Sequence, residues 1–127
     1  MRKNAAMTLS PHLRCEEEVH PRGKILRFVG EADFLAVPAV RQLLKRLLTQ
    51  HIPFLIVDLS DVTFLNTPFW AALQRYQIDG HPNLRLALCG MNEALRAAFD
   101  INGVGLESAE GGGIAVYDHL EAALAAT

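Results

Sequence analysis

Residues 54–70 read FLIVDLSDVTFLNTPFW and carry the strongest structural signal in the chain. The run Phe54–Leu59 is apolar except for one acid, which is typical of a strand covered on both faces. A polar turn and a second apolar run are predicted to follow. Pro68 fits the first helical position, where a missing backbone N–H costs nothing, and Thr67 fits the N-cap before it. The stretch therefore predicts a strand that leads directly into a helix N-terminus.

Strand and helix patterns alternate on both sides of this stretch. Apolar residues recur with the period of an amphipathic helix over residues 37–48, and residues 21–23 (PRG) predict a hairpin turn. The predicted strands are 12–19, 24–29, 54–59, 84–88 and 114–116, and the predicted helices are 37–48, 68–77, 93–99 and 118–126. This order indicates an α/β domain with a mostly parallel sheet of four or five strands, an N-terminal hairpin and about four helices. We expect residues 1–11 to be loosely ordered and residues 12–127 to form one domain.

The composition excludes several classes of function. The chain has 127 residues, half of them hydrophobic, and a net charge of −2, so nothing indicates nucleic-acid binding. The sequence contains no signal peptide and no apolar run long enough to cross a membrane, which predicts a cytoplasmic protein without membrane insertion.

No set of residues with the spacing of a reactive site is visible in the sequence. The five histidines and the two cysteines, Cys15 and Cys89, lack ligand spacing, so we expect reduced thiols, no metal site and no cofactor. There is no pair of carboxylates and no nucleophile with a base, and the chain is predicted not to be an enzyme. Asp58 is interpreted as an acid that bonds nearby backbone N–H groups.

Four short motifs along the chain belong together. They are GEAD at 30–33, VPAVR at 37–41, DLSDVTFL at 58–65 and LEAAL at 120–124. In this order they resemble the STAS domain, the fold of anti-sigma factor antagonists, and DLSDVTFL is the most specific of them. The resemblance covers roughly residues 13–126. It implies a single STAS-like domain that regulates transcription by binding another protein.

The sequence departs from the family pattern at the point where partner kinases act. Members of the family usually carry Asp-Ser-Ser-Gly-Leu after the Asp-Leu-Ser signature, and one serine accepts phosphate. Here Asn66 and Thr67 replace the Asp and the first serine, and Pro68 stands at the usual phosphoacceptor position. Either Thr67 takes the phosphate instead, or the switch is absent and the protein binds constitutively. We favour the second hypothesis because a residue before proline is restricted to extended conformations, which suits a cap.

The resemblance also implies a partner-binding site. An anti-sigma factor or a histidine-kinase-like regulator would bind the loop and helix start at Asn66–Trp70, with help from Asp33. Phe69 and Tyr76 share a helix face and would add an aromatic patch if they are exposed. The alternatives for these two residues are packing under the first helix or a homodimer contact. Trp70 is predicted to be in the core.

A second hypothesis for the function is structural. Related STAS domains are accessory subunits of lipid-transport complexes and parts of large stress-sensing assemblies. Pro68 at the phosphoacceptor position is compatible with such a permanent subunit, which would need no phosphate switch.

Overall fold

The computed structural model describes residues 4–101 and 114–127, which form one six-stranded sheet with four α-helices. The strands are β1 Asn4–Ser10, β2 Leu13–His20, β3 Gly23–Ala32, β4 Phe54–Leu65, β5 Arg85–Cys89 and β6 Ala115–Tyr117. The helices are α1 Val37–Thr49, α2 Thr67–Gly80, α3 Glu93–Ile101 and α4 Leu120–Ala125, and a 3₁₀ turn, Phe34–Ala36, precedes α1. The loop predicted between α3 and β6 lies outside the described residues.

The strands follow one another across the sheet in chain order, from β1 to β6. Strands β1, β2 and β3 are antiparallel neighbours, whereas β3, β4, β5 and β6 are parallel. A helix lies between the two strands of each parallel pair in chain order, because parallel neighbours need a crossover connection. The predicted α/β fold is therefore confirmed, with a mixed sheet.

Strand β1 corrects the prediction that the first 11 residues are loosely ordered. Residues 4–10 form an edge strand that pairs with β2, and the sheet has six strands where four or five were expected. Met7 and Leu9 pack against the main core. This burial explains why a short segment without a run of β-branched residues is held in place.

Strand β4 is also longer than predicted. It continues through Ser60 and Asp61 to Leu65 without the expected polar turn. Its ladder with β3 pairs Val29 with Asp61 and Ala32 with Leu65, with two irregularities in register. The polar residues are tolerated because they are exposed on the sheet surface.

The sheet separates a large core from a small one. The larger lies under α1, α2 and α3 and includes Trp70 and Leu73, which confirms that Trp70 is a core residue. The smaller lies under α4, where Ala123 packs against the other sheet face. Cys15 and Cys89 are both buried and free, as expected of reduced cysteines. Among the described helices, none combines the length and apolarity that a membrane span needs.

Candidate functional site

The carboxyl ends of β3 and β4 lie side by side, and both lead into helical turns. The backbone N–H of Asn66 donates to the carbonyl oxygen of Ala32 at 3.1 Å, which joins the end of β4 to the end of β3. From this edge β3 continues into the 3₁₀ turn and β4 into α2. In parallel sheets, ligands and partners are commonly bound at this end of the strands.

Asn66, and not Thr67, is the N-cap of α2. Its backbone is extended, with φ −83° and ψ 165°, and its side-chain oxygen Oδ1 accepts a hydrogen bond from the N–H of Phe69 at 3.0 Å. Thr67 is the first residue of the helix and is exposed, and Pro68 is the second. The prediction that Thr67 caps the helix was wrong, because the bond from Asn66 to Ala32 holds Asn66 in the extended conformation that a cap requires.

The predicted aromatic patch does not exist, because Phe69 and Tyr76 are both buried. Phe69 is 0% exposed and meets the ring of Phe28 edge-on at a centroid distance of 5.2 Å. Tyr76 is 3% exposed, and burial raises the pKa of its hydroxyl to about 12. These side chains belong to the core, as in the packing alternative, and they offer no exposed aromatic patch to a partner.

The exposed apolar side chains at this edge come from residues that the sequence analysis did not single out. Phe34 is 78% exposed, Leu35 63% and Phe64 50%. Phe34 and Leu35 form the 3₁₀ turn after β3, and Phe64 lies beside Glu31 in the β3–β4 ladder. The sequence did contain a signal for these exposed residues, because the apolar pair Phe34 and Leu35 lies between an acid, Asp33, and a proline, Pro38. Large exposed apolar side chains near the ends of neighbouring strands are candidates for an interaction surface.

Asp33 lies at the start of the same turn and has two contacts. Its Oδ1 accepts a hydrogen bond from the N–H of Leu35 at 3.2 Å and so caps the 3₁₀ turn. Its Oδ2 lies 3.0 Å from Nδ1 of His12. Ligand atoms of His12, Glu31 and Asp33 all lie within 4.8 Å of one another, and this group could hold a metal ion. The expectation of no metal site considered only spacing along the chain.

Five residues at this edge are accessible together, and we call them the apical surface. They are Asp33, Phe34, Leu35, Phe64 and Thr67. Two of them, Asp33 and Thr67, were predicted partner-binding residues. Of the other predicted site residues, Asn66 is 9% exposed and supports the surface through its cap, and Pro68 is partly exposed beside Thr67.

Asp58 lies within β4, where it pairs with Cys89 of β5, and its hydrogen bonds are local to the strand. Its Oδ1 accepts hydrogen bonds from the backbone N–H of Ser60 at 3.0 Å and from the hydroxyl of Ser60. The interpretation that Asp58 bonds a nearby backbone N–H is confirmed.

The sequence also matches a known family. The family model described as the STAS domain matches residues 14–123, which is most of the chain. The chain belongs to the STAS domain family. The resemblance noted from the four sequence motifs is thereby confirmed.

Solved structures with the same architecture include anti-sigma factor antagonists. This STAS domain is similar to an anti-sigma factor antagonist from Mycobacterium paratuberculosis, with a TM-score of 0.80, 22% identity, and coverage of 94% of this chain and 97% of that chain. It is also similar to the anti-sigma factor antagonist SpoIIAA in its unphosphorylated form, with a TM-score of 0.67, 16% identity, and coverage of 88% and 94%.

A third structure shows the Bacillus cell fate determinant SpoIIAA in the phosphorylated form. Its TM-score is 0.66 at 16% identity, over 88% of this chain and 96% of that chain. At these identities the three likenesses establish the fold. Among curated proteins, no sequence matches this STAS domain.

Proposed function

We propose that this STAS domain is a non-catalytic regulatory protein of the anti-sigma factor antagonist type. Its partner would be an anti-sigma factor or a histidine-kinase-like regulator, bound through the apical surface. The observation that carries the proposal is the exposure of Phe34 and Leu35 in the turn after β3 and of Phe64 near the end of β4, the strand that leads into α2. The family supports a regulatory role, and the similar solved structures include two proteins described as anti-sigma factor antagonists.

The apical surface is held rigidly by backbone bonds and caps. The hydrogen bond from Asn66 to Ala32 joins the end of β4 to the end of β3. Asn66 caps α2, and Asp33 caps the 3₁₀ turn. A preorganised surface loses little conformational entropy on binding. Full burial of an apolar side chain such as Phe34 or Leu35 contributes about 1.5–3 kcal/mol, so these two residues would anchor the partner.

Binding is proposed to be constitutive. We take Pro68 to stand at the position that is the phosphoacceptor in related domains, and proline has no hydroxyl to esterify. Thr67 is exposed next to it and is the alternative acceptor. A phosphate on Thr67 would add a charge of about −1.5 to −2 in the apical surface, which also contains Asp33, and would disturb a complementary partner. We therefore expect Thr67 to remain unmodified while the partner is bound.

The test is capture of the partner from the native cell with the tagged protein. The wild type should retain a kinase-like or anti-sigma regulator, and Pro68→Glu should lose it because a charge now lies beside the apolar anchors. Asn83→Glu is the matched control, since it adds the same charge to the exposed loop between α2 and β5 at the opposite sheet edge. This variant should retain the regulator.

Two results would contradict the proposal. One is capture of the same proteins by Pro68→Glu and by the wild type. The other is stable co-purification with a transporter ATPase or a large particle, which would favour the structural-subunit hypothesis.

Phosphopeptide mass spectrometry of the captured complex tests Thr67, and stoichiometric phosphate there would contradict constitutive binding. The proposed partner class also predicts a cytoplasmic location.

A further inference from the structure

The turn between β1 and β2 meets the end of β3, and this contact brings together three side chains that are distant in sequence. The β2–β3 ladder pairs Leu13 with Gly30, so that His12 lies across from Glu31. Asp33 lies two residues beyond Glu31. Ligand atoms of these three side chains all lie within 4.8 Å of one another. We propose that His12, Glu31 and Asp33 form a surface site for one zinc ion.

The chemistry of the donors favours zinc over the alkaline-earth ions. An imidazole nitrogen with two carboxylate oxygens is a ligand set that Zn²⁺ accepts readily, whereas Mg²⁺ and Ca²⁺ prefer oxygen ligands alone. The two carboxylates also provide the two negative charges that balance a divalent cation. Three protein ligands leave at least one coordination position for water.

The distances allow these side chains to share an ion. Zinc binds nitrogen and oxygen ligands at about 2.0–2.2 Å, so neighbouring ligand atoms in a tetrahedral site lie about 3.3 Å apart. His12 Nδ1 and Asp33 Oδ2 are 3.0 Å apart. Glu31 is an exposed side chain, and its ligand atom lies within 4.8 Å of the other two.

The backbone holds the three residues in this arrangement. The N–H of Glu31 donates to the carbonyl oxygen of His12 at 2.8 Å. Gly30 has a φ of 115°, and a Cβ there would lie 2.1 Å from the same oxygen, so glycine permits the close approach of the two segments. Asp33 uses Oδ1 to cap the 3₁₀ turn, which orients Oδ2 towards His12. Support of this kind outside the ligand atoms strengthens metal sites.

Zinc at this position would tie the β1–β2 turn to the loop that carries Phe34 and Leu35. The apical surface would become more rigid when the ion is bound. This consequence depends on the proposed function, whereas the zinc site itself does not.

The test is isothermal titration of the full chain with zinc chloride after removal of chelators. The wild type should bind one zinc ion per chain, and His12→Ala and Glu31→Gln should each weaken binding by about tenfold or more. Glu121→Gln is the matched control. Glu121 lies 3.2 Å from Nδ1 of His119, and the two form an exposed histidine–carboxylate pair outside the three-donor group. Replacing Glu121 should leave the zinc affinity unchanged.

A second measurement locates the ion and does not depend on how the variants fold. Zinc added to the isotopically labelled wild type should shift backbone amide resonances at residues 12–13 and 30–35. The proposal is overturned by the absence of saturable zinc binding, by equal affinity in His12→Ala, or by resonance shifts confined to other parts of the chain. Failure of partner capture would leave these zinc measurements unaffected, so the two proposals are separable.

Discussion

The side chain of Asn66 organises the start of α2. Its backbone N–H is bonded to β3, and its Oδ1 accepts the hydrogen bond from Phe69 that a helix N-cap provides. Thr67 and Asn66 are both good cap residues, and they are adjacent. The prediction placed the cap at Thr67, one residue too late, because the choice depends on how far β4 pairs along β3.

Replacing these two neighbours by alanine should have different effects. Asn66→Ala should lower the free energy of unfolding by about 1 kcal/mol, the usual effect of losing a cap. Thr67→Ala should change it by less than about 0.5 kcal/mol, as expected for an exposed side chain without a structural contact. Urea denaturation measures both. An equal loss of stability in the two variants would contradict the assignment of Asn66 as the cap.

Phe69 and Phe34 have opposite environments, although both lie near the apical surface. Phe69→Ala should lower the free energy of unfolding by about 3–5 kcal/mol, because it removes a ring packed against Phe28. Phe34→Ala should change it by less than about 0.5 kcal/mol, since the ring is 78% exposed. Urea denaturation measures both variants. A large loss of unfolding free energy in Phe34→Ala would contradict the exposure of its ring.

The two thiols should be unreactive in the native protein. Burial, with added repulsion from Glu17 and Glu16, raises the pKa of Cys15 to about 12. Burial and the nearby Asp58 raise the pKa of Cys89 to about 12 as well. Only the thiolate is nucleophilic, so a disulfide reagent at pH 8 should modify both cysteines only after unfolding in urea. Rapid modification of either cysteine in the native state would contradict their burial.

Among the larger elements, a group of ion pairs around the buried Glu17 links β2, β3 and α1. Glu17 is 7% exposed and accepts hydrogen bonds from Lys24 at 2.6 Å and from Arg46 at 2.8 Å. Burial alone would raise the pKa of Glu17, but these two cations outweigh it and lower the pKa below its usual value of 4.5. The folded state therefore favours the ionised carboxylate.

Acid should remove the stabilisation from Glu17. Because its pKa is lower in the folded state, Glu17 stabilises the protein above about pH 4.5, and this contribution is lost as the pH falls through the folded-state pKa. At pH 7, Glu17→Gln should be less stable than the wild type by about 1.5–3 kcal/mol, the range for hydrogen bonds to charged groups. The difference should shrink as the pH falls from about 4.5 into the acid range. A difference that stays constant over that range would contradict this account.

The sequence predicted the order of helices and strands better than their ends. Periodicity and breakers located every described helix and five of the six strands. The amphipathic pattern of α1 and the apolar run of β4 depend on local residues. Strand β1 and the second half of β4 depend instead on pairing with β2 and β3, which a local pattern does not reveal.

For the whole molecule, the structure brings some of the predicted site residues to one edge of the sheet and buries others. Asp33 and Thr67 do lie at one edge of the sheet, because the β3–β4 register brings their segments together. Phe69 and Tyr76 turned inward, whereas Phe34, Leu35 and Phe64 turned outward. Residue type alone does not determine which apolar side chain is buried; that depends on which helix face meets the sheet.

The most direct test of the account is the affinity of the captured regulator for a variant without the apolar anchors. Titration calorimetry should show that Phe34→Ser combined with Leu35→Ser weakens binding by about tenfold or more. Ile101→Ser is the matched control, because Ile101 is 85% exposed at the end of α3, near the opposite sheet edge. It should bind as the wild type does. Unchanged affinity in the double variant would contradict the central claim that the apical surface binds the partner.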